Sequence, residues 1–135
     1  MSDPGPAAPI IRVIAAVVTR DERFLICRRP LHKRHGGLWE FPGGKCEPGE
    51  SDLATTAREL REELAVEVLG IGDPLFAVSD ANSPYQIVFI PTTISGDPRC
   101  EEHMALAWLP FEEMATLPLS PSDRRFVEFM LAHRA

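Results

Sequence analysis

The chain contains the stretch Gly43-Gly44-Lys45-Cys46-Glu47-Pro48-Gly49-Glu50, followed shortly by Arg58-Glu59-Leu60-Arg61-Glu62-Glu63. The glycines predict a tight turn, and the acidic residues after it are closely spaced. Carboxylates this close together repel one another unless a cation lies among them, and a divalent metal with oxygen ligands is the obvious candidate. A metal beside a glycine-rich turn indicates chemistry on phosphate groups.

The acidic residues share one side of a predicted helix. Residues three and four apart lie on the same helix face, so Glu59, Glu62 and Glu63 can reach the same side. Arg58 precedes Glu62 by one helical turn and can hold its carboxylate. An exposed acidic face paired with arginines would show the same pattern. The glycine turn, with Glu50 just before the helix, favours a site over that alternative.

The opposite side of this helix is predicted to pack on a β-sheet. Apolar residues recur there at helical spacing, namely Leu53, Ala57, Leu60 and Leu64. Ser51 is a suitable N-cap. We therefore expect a helix over about residues 52–64, with one buried face and one solvent-facing, metal-binding face.

The pattern resembles the signature of the Nudix hydrolase family, G-x5-E-x7-R-E-U-x-E-E-x-G-U, in which U is a bulky aliphatic residue. The matching residues are Gly44, Glu50, Arg58-Glu59-Leu60, Glu62-Glu63 and Val66. Ala65 stands where the family usually has glycine. Because alanine does not easily adopt the left-handed conformation of a helix cap, we expect the chain to leave the helix slightly differently. The chemistry should not be affected.

The resemblance extends beyond this motif over nearly the whole chain. Leu38-Trp39-Glu40-Phe41-Pro42, just before the glycine turn, is similar to the MutT-type branch, which cleaves nucleoside triphosphates. The family has an α/β/α sandwich fold with a mixed β-sheet. The strands and helices predicted from hydrophobic patterning are compatible with it. Within the longest later strand, residues 85–94, Pro91 predicts an edge position or a bulge.

The resemblance also implies a metal site. Glu59 and Glu63 would be metal ligands, together with the backbone carbonyl of Gly43. Glu62 would be a ligand or would support one. In a later loop, Glu102 resembles the additional metal carboxylate of MutT-type enzymes, although an exposed acidic turn is the alternative. The expected cation is Mg²⁺, with Mn²⁺ as the second choice.

The catalytic roles follow the same resemblance. Glu50 would pair with Arg58 and shape the turn. The general base stays open, because family members place it either on this helix or in a later loop. Glu59 or Glu62 could serve here. Hydrolysis of a phosphoanhydride needs charge neutralisation, a positioned water and a group that accepts its proton, and these residues can supply all three.

Several residues are candidates for substrate binding. Arg29 matches the position of a substrate-binding arginine in MutT-type proteins, and Arg34 and Lys45 could contact phosphates, because guanidinium groups bind phosphate oxygens in pairs. A solvated basic loop is the alternative for residues 28–35. Glu40 is expected in the pocket, and Phe41 could line the base site.

Base choice is assigned to the start of the last predicted helix. MutT-type enzymes place Asn or Asp there, facing the nucleobase, and this chain has Asp123. An ionised aspartate only accepts hydrogen bonds. It therefore suits the exocyclic amine of cytosine, adenine or guanine, and would suit oxidised guanine if protonated. The alternative is that Asp123 only begins the helix, where the helix dipole favours it.

Length and composition set the remaining expectations. With 135 residues, the chain predicts a single domain over residues 10–135 after a disordered tail over residues 1–9. The net charge of −6 disfavours a nucleic-acid polymer as partner. Three cysteines without ligand spacing predict reduced thiols and a cytoplasmic location. No run is apolar enough for a membrane span. Monomer and homodimer both stay open.

The predicted function is Mg²⁺-dependent hydrolysis of a nucleoside triphosphate to a monophosphate and pyrophosphate, sanitising damaged nucleotides such as 8-oxo-dGTP. A second possibility is hydrolysis of CTP and modified pyrimidine triphosphates. A third is cleavage of another nucleoside diphosphate derivative, such as a nucleotide sugar or dinucleoside polyphosphate. In a different class, the chain would be a non-catalytic nucleotide sensor. The intact acidic residues argue against a sensor, because binding alone does not require them.

Overall fold

The computed structural model describes residues 10–80 and 82–133, so the tail predicted to be disordered lies outside the described residues. The described elements, in chain order, are β1 Ile11–Arg20, β2 Arg23–Arg28, β3 Trp39–Glu40, β4 Gly43–Lys45, α1 Asp52–Leu64, β5 Glu67–Ile71, β6 Phe76–Ser79, β7 Tyr85–Ser95, β8 Ala105–Leu109, α2 Phe111–Met114 and α3 Pro121–Ala132.

The strands form one mixed sheet with β1 at its centre. The main order is β3-β2-β1-β7-β5, with β4 paired to β1, β6 to β7 and β8 to β2. β1 runs parallel to β7 and antiparallel to β2 and β4. β1 and β2 form a hairpin, in which Asp21 and Glu22 turn the chain with φ values of 53° and 62°. Positive φ at both positions matches the twist of the flanking strands.

Side chains of β1 alternate between the two faces of the sheet, as a period of two requires. Ala16 and Val18 pack with α1 residues on one face. Ala15 and Val17 belong to the core on the other face, which also contains α2 and α3 residues. Helices therefore cover both faces, and the predicted α/β/α sandwich with a mixed β-sheet is confirmed.

The buried face of α1 differs from the predicted one. Leu60 and Leu64 are fully buried as predicted, and Ala57 is partly buried. Leu53 is 46% exposed, so its assignment to the sheet-packing face is wrong. The threonines Thr55 and Thr56 are fully buried instead. Their hydroxyls donate to the Glu50 carboxylate at 2.9 Å and to the Asp52 carbonyl at 2.7 Å. Burial costs little for a polar group that keeps a hydrogen bond, and hydrophobic spacing could not reveal this.

Both ends of α1 have well-defined caps. The Ser51 side chain accepts a hydrogen bond from the Ala54 N–H at 3.1 Å, as predicted for an N-cap. At the other end, Ala65 adopts the left-handed conformation, with φ 57° and ψ 38°. The expected difference in the helix exit is therefore wrong, because alanine takes the conformation that the glycine of the family would take. The cost is roughly 1–2 kcal/mol.

Pro91 does not mark an edge. β7 lies inside the sheet, and the Pro91 carbonyl accepts from the Gly72 N–H at 2.9 Å. The N and C=O of a strand residue point to the same side, so the proline nitrogen also faces the segment between β5 and β6. The missing N–H therefore falls on that side and not on the side of β1, and the irregularity of register lies in β5, between Val68 and Gly70.

Candidate active site

The tight turn predicted at Gly43 and Gly44 is wrong, because both glycines lie in β4, and the chain turns at Pro48 and Gly49 instead. Residues 43–50 are called the glycine turn below, and close contacts explain the first two glycines. A Cβ on Gly43, whose φ is 147°, would overlap the Ile14 carbonyl oxygen. A Cβ on Gly44 would overlap the carboxylate of Glu59. The glycine turn and the acidic helix are thus packed directly against each other, and a side chain at Gly44 would force the Glu59 carboxylate to move from this position.

Arg58 connects the turn to the acidic side of the helix. Its Nε and Nη2 donate to the two carboxylate oxygens of Glu50 at 2.8 and 2.9 Å. Its Nη1 donates to Glu59 at 2.8 Å, and its Nη2 also donates to the Lys45 carbonyl at 3.0 Å. The bidentate pair, with help from the Glu47 N–H, lowers the pKa of Glu50 to about 2. The Glu62 carboxylate lies farther from the arginine, with 3.7 Å between its Oε2 and Arg58 Nη1.

Glu63 is buried rather than solvent-facing, which corrects the expected orientation of the metal-binding face. Its carboxylate accepts from the Gly43 N–H at 3.1 Å. Burial raises its pKa to about 9, and the negative charges of Glu59, Glu40 and Glu102 act in the same direction. Burial also raises the pKa of Glu59, against the opposing effect of Arg58. The Glu102 charge acts on both groups, so its loop faces the helix carboxylates.

The carboxyl groups of Glu59, Glu63 and Glu102 are chemically suitable ligands for a divalent cation. Hard oxygen donors are the ligands that Mg²⁺ and Mn²⁺ take, and a cation would relieve the repulsion that raises the pKa of Glu63. Within residues 10–80 and 82–133, no three acidic, histidine or cysteine side chains are already close enough to hold an ion together. The side chains would therefore have to converge on it.

A cleft of about 670 Å³ leads away from Glu63 and the glycine turn. It ends at the start of α3, where Ser120 and Asp123 line it. All the predicted substrate-binding residues line this cleft, namely Arg29, Arg34, Glu40, Phe41, Lys45 and Asp123. The structure thus brings together residues that are far apart in the sequence.

Asp123 is buried at the far end of the cleft. Its Oδ1 accepts from the Phe41 N–H at 2.8 Å. Burial raises the pKa of Asp123 to about 7, against the effect of this hydrogen bond. The Phe41 ring is 4% exposed and packs edge-on against Phe89 and Phe126. Phe41 therefore belongs to the core, and its backbone holds Asp123 in place.

Sequence reasoning missed one residue that lines the cleft and one that contacts a lining residue. Tyr85, the first residue of β7, lines it, and the Lys45 Nζ lies over its ring at 5.0 Å from the centroid. His103, just before β8, has a side chain 5% exposed, with Nε2 3.0 Å from the Glu40 carboxylate. Only its position next to Glu102 could have singled out His103. No local sequence pattern indicates that Tyr85 lines the cleft, because its position follows from strand pairing.

Comparison with known proteins shows which family has this fold and site. The model of the NUDIX domain matches residues 9–130. The chain belongs to the Nudix family. It is 38% identical to a CTP pyrophosphohydrolase of Escherichia coli over 93% of this chain and 95% of the relative. It is 33% identical to a putative 8-oxo-dGTP diphosphatase 2 of Mycobacterium tuberculosis over 85% and 84%.

Solved structures agree with this assignment. The solution structure of the E. coli ORF135 protein superposes with a TM-score of 0.81 at 37% identity, covering 97% of this chain and 96% of that chain. A MutT structure, from work on Aliivibrio salmonicida and Vibrio cholerae, gives a TM-score of 0.78 at 27% identity, covering 92% and 98%.

Family membership settles the class of activity. This Nudix protein is a hydrolase that acts on phosphoanhydride bonds, which confirms the predicted enzyme over the sensor. Nudix hydrolases generally depend on a divalent metal and act on nucleotide substrates. Among the described residues, no helix is long and apolar enough to cross a membrane.

Proposed function

We propose that this Nudix hydrolase converts a nucleoside triphosphate to a monophosphate and pyrophosphate with Mg²⁺, and less favourably with Mn²⁺. One observation carries the proposal. A single cleft is lined both by Glu63 and the glycine turn, called its carboxylate end, and by the buried carboxyl of Asp123, called its base end. The two ends are suited to different parts of one molecule, a phosphate chain and a base.

The carboxylate end would hold the cation. Glu59 and Glu63 are the proposed ligands, with Glu62, Glu102 and the Gly43 carbonyl as further donors. A bound divalent cation neutralises phosphate charge and lowers the pKa of water.

The remaining residues at this end support the reaction. Glu50 and Arg58 hold Glu59 in place through the hydrogen bonds described above. The attacking water would transfer its proton to Glu59 or Glu62. Glu62 is the more accessible of the two, with a side chain 53% exposed against 16% for Glu59.

Three basic residues would bind the phosphate chain. Arg29, Arg34 and Lys45 line the same cleft as Glu63 and Asp123. Arg29 is the best ordered of them, because it is paired with Glu40 at 3.0 Å and also donates to the Arg34 carbonyl at 2.8 Å. Positive side chains here can bind an anionic substrate even though the chain carries a net charge of −6.

Asp123 would select the base. Its carboxyl can accept from an exocyclic amine, and because its pKa is about 7 a large neutral fraction can also donate at neutral pH. Cytosine offers an amine, so CTP and modified pyrimidine triphosphates are the first candidates. The CTP pyrophosphohydrolase relative supports them. Oxidised guanine, as in 8-oxo-dGTP, is the second candidate, supported by the neutral form of Asp123 and by the M. tuberculosis relative.

We also propose that residues 10–135 form one domain, and that the protein works in the cytoplasm, where free nucleotides occur. No nucleic-acid polymer is expected as partner, because the acidic net charge disfavours binding to a polyanion.

The test is a pyrophosphate-release screen with Mg²⁺ and with Mn²⁺. The panel contains normal, oxidised and methylated nucleoside triphosphates, nucleotide sugars and dinucleoside polyphosphates. Release of pyrophosphate from cytosine or oxidised guanine triphosphates would support the proposal. Cleavage of only sugars or dinucleotides would contradict it, while leaving the Nudix hydrolase assignment intact. A Glu59→Gln preparation controls for contaminating phosphatases.

A further inference from the structure

His103 has a place in the site that its sequence neighbourhood does not explain. We propose that His103 is a positioning residue that holds Glu40 and, through Glu40, fixes the Arg29 guanidinium in the cleft. The inference rests on the proposed function, because Arg29 is taken to bind the phosphates of the substrate. It adds a residue that would not itself touch the substrate.

The first link is the contact between His103 and Glu40. His103 Nε2 lies 3.0 Å from Glu40 Oε2, and its side chain is 5% exposed. An ionised carboxylate only accepts hydrogen bonds, so the Nε2–H of the imidazole must donate. A charge-assisted hydrogen bond in a site this secluded from water is stronger than a surface contact.

The second link is the contact between Glu40 and Arg29. Arg29 Nη1 donates to both carboxylate oxygens of Glu40, at 3.0 and 3.2 Å. Its Nε donates to the Arg34 carbonyl at 2.8 Å. The guanidinium is therefore held on two sides, and its remaining Nη2 edge is available for a ligand of the cleft that Arg29 lines.

Glu40 therefore depends on His103 for its position. Without the imidazole, Glu40 Oε2 would keep only the longer of the two Arg29 contacts, at 3.2 Å. The Glu40 side chain is 20% exposed, so it has room to rotate towards solvent. Arg29 would then keep one anchor, and ordering it would cost part of the binding free energy of the substrate.

The burial of His103 is not explained by packing alone. Its Nδ1 is also buried and has no hydrogen-bond partner among the described protein groups. Leaving a buried polar atom without a partner is unfavourable, and such atoms in native structures call for an explanation. An apolar side chain would fill the same space without this cost, so the Nε2 contact with Glu40 is what the histidine contributes.

The test compares His103→Phe with His103→Gln. Phenylalanine keeps the ring volume and removes the donor, whereas the glutamine amide reaches equally far and can still donate to Glu40. His133→Phe, on an exposed ring stacked on Phe129, is the matched control. Each variant is assayed for kcat and KM on the best triphosphate of the wild-type protein, with the melting temperature measured alongside.

We expect His103→Phe to raise KM about tenfold or more, because a charge-assisted hydrogen bond is lost, with a much smaller change in kcat. His103→Gln should restore most of the loss. The proposal is overturned if both variants keep the wild-type KM. It is also overturned if both lose kcat together with thermal stability, because that result describes a structural histidine.

A second readout does not depend on the substrate. An arginine whose Nη1 is held by a carboxylate gives a protected Nη1–H signal in ¹H–¹⁵N NMR spectra, and Arg29→Lys identifies the signal of Arg29. The signal should persist in His103→Gln and exchange faster in His103→Phe, whereas an unchanged signal in His103→Phe would overturn the link. If the wild-type protein cleaves no triphosphate, the proposed function fails while this readout still decides the role of His103.

Discussion

The two ends of the cleft are assembled from different ranges of the sequence. At the carboxylate end, Glu50 and Arg58 are eight residues apart and joined by two short hydrogen bonds. At the base end, the Phe41 N–H and the Asp123 carboxylate are 82 residues apart. The carboxylate end is therefore local in sequence, whereas the base end exists only after the sheet and α3 have come together.

This difference separates reaction from specificity. Apart from Glu102, the carboxylate end depends on one turn and one helix, so most of its chemistry can be kept while the rest of the chain varies. The base end depends on the packing of β3, α3 and the start of β7, so it can change without affecting the reaction. Mutations at the two ends should therefore differ in kind, affecting turnover at one end and substrate preference at the other.

Glu63→Gln should have the largest effect. It replaces a buried carboxylate that is expected to hold the cation, and we expect kcat to fall by about 10²–10³-fold on every nucleotide. The fold should survive, because a neutral amide suits a buried position at least as well as a carboxyl. The rise in melting temperature on adding Mg²⁺ should shrink, because fewer charges remain to bind it.

Glu67→Gln is the matched control for this change. Glu67 is exposed and pairs with Arg61, away from the carboxylates of the cleft. It should keep both turnover and the Mg²⁺-dependent rise in melting temperature. Turnover of Glu63→Gln close to that of the wild-type protein would show that the cation is held elsewhere.

Gly44→Ala should have the next largest effect. The added Cβ would overlap the Glu59 carboxylate, which must then move. We expect kcat to fall about 10- to 100-fold, as for the loss of a group that orients a metal ligand. Gly70→Ala is the control, because its Cβ would meet no atom within 4 Å. If Gly44→Ala and Gly70→Ala kept equal activity, the close packing of turn and helix would be irrelevant to catalysis.

Asp123→Asn should change preference rather than turnover. In the wild-type protein the carboxyl, with a pKa of about 7, is mostly neutral below pH 7 and can donate; above pH 7 it is mostly ionised and only accepts. Activity on 8-oxo-dGTP relative to CTP should therefore fall as pH rises through 7. Asparagine donates and accepts at every pH, so the activity on 8-oxo-dGTP relative to CTP should no longer change with pH.

The measurement is kcat/KM on both nucleotides from pH 5.5 to 8.5, a range chosen around the pKa of about 7. The ratio of kcat/KM for 8-oxo-dGTP to kcat/KM for CTP removes any pH effect that the carboxylate end has on both substrates. An equal loss on both nucleotides in Asp123→Asn would make Asp123 a structural helix start, the alternative raised by its position.

The same contrast determines what the sequence could predict. Helical spacing placed Glu59, Glu62 and Glu63 on one helix, because i to i+4 geometry is local. It could not show that Glu63 is buried while Leu53 is exposed, because the glycine turn provides the Gly43 N–H that bonds Glu63 and the Glu50 carboxylate that bonds the buried Thr55. Tyr85 and His103 were missed for a similar reason. Strand pairing brings Tyr85 to the cleft and His103 to Glu40, and no motif marks either residue.

Ala65→Gly should have the smallest effect, confined to stability. Ala65 is in the left-handed conformation, which alanine adopts only at a cost, and glycine removes that cost while adding some freedom to the unfolded chain. We expect the free energy of unfolding in urea to rise by about 0.5–1 kcal/mol, with kcat unchanged. Ala57→Gly, inside the same helix, should lower the free energy of unfolding by about 1 kcal/mol. A loss of stability in Ala65→Gly would mean that its Cβ contacts matter more than its backbone strain.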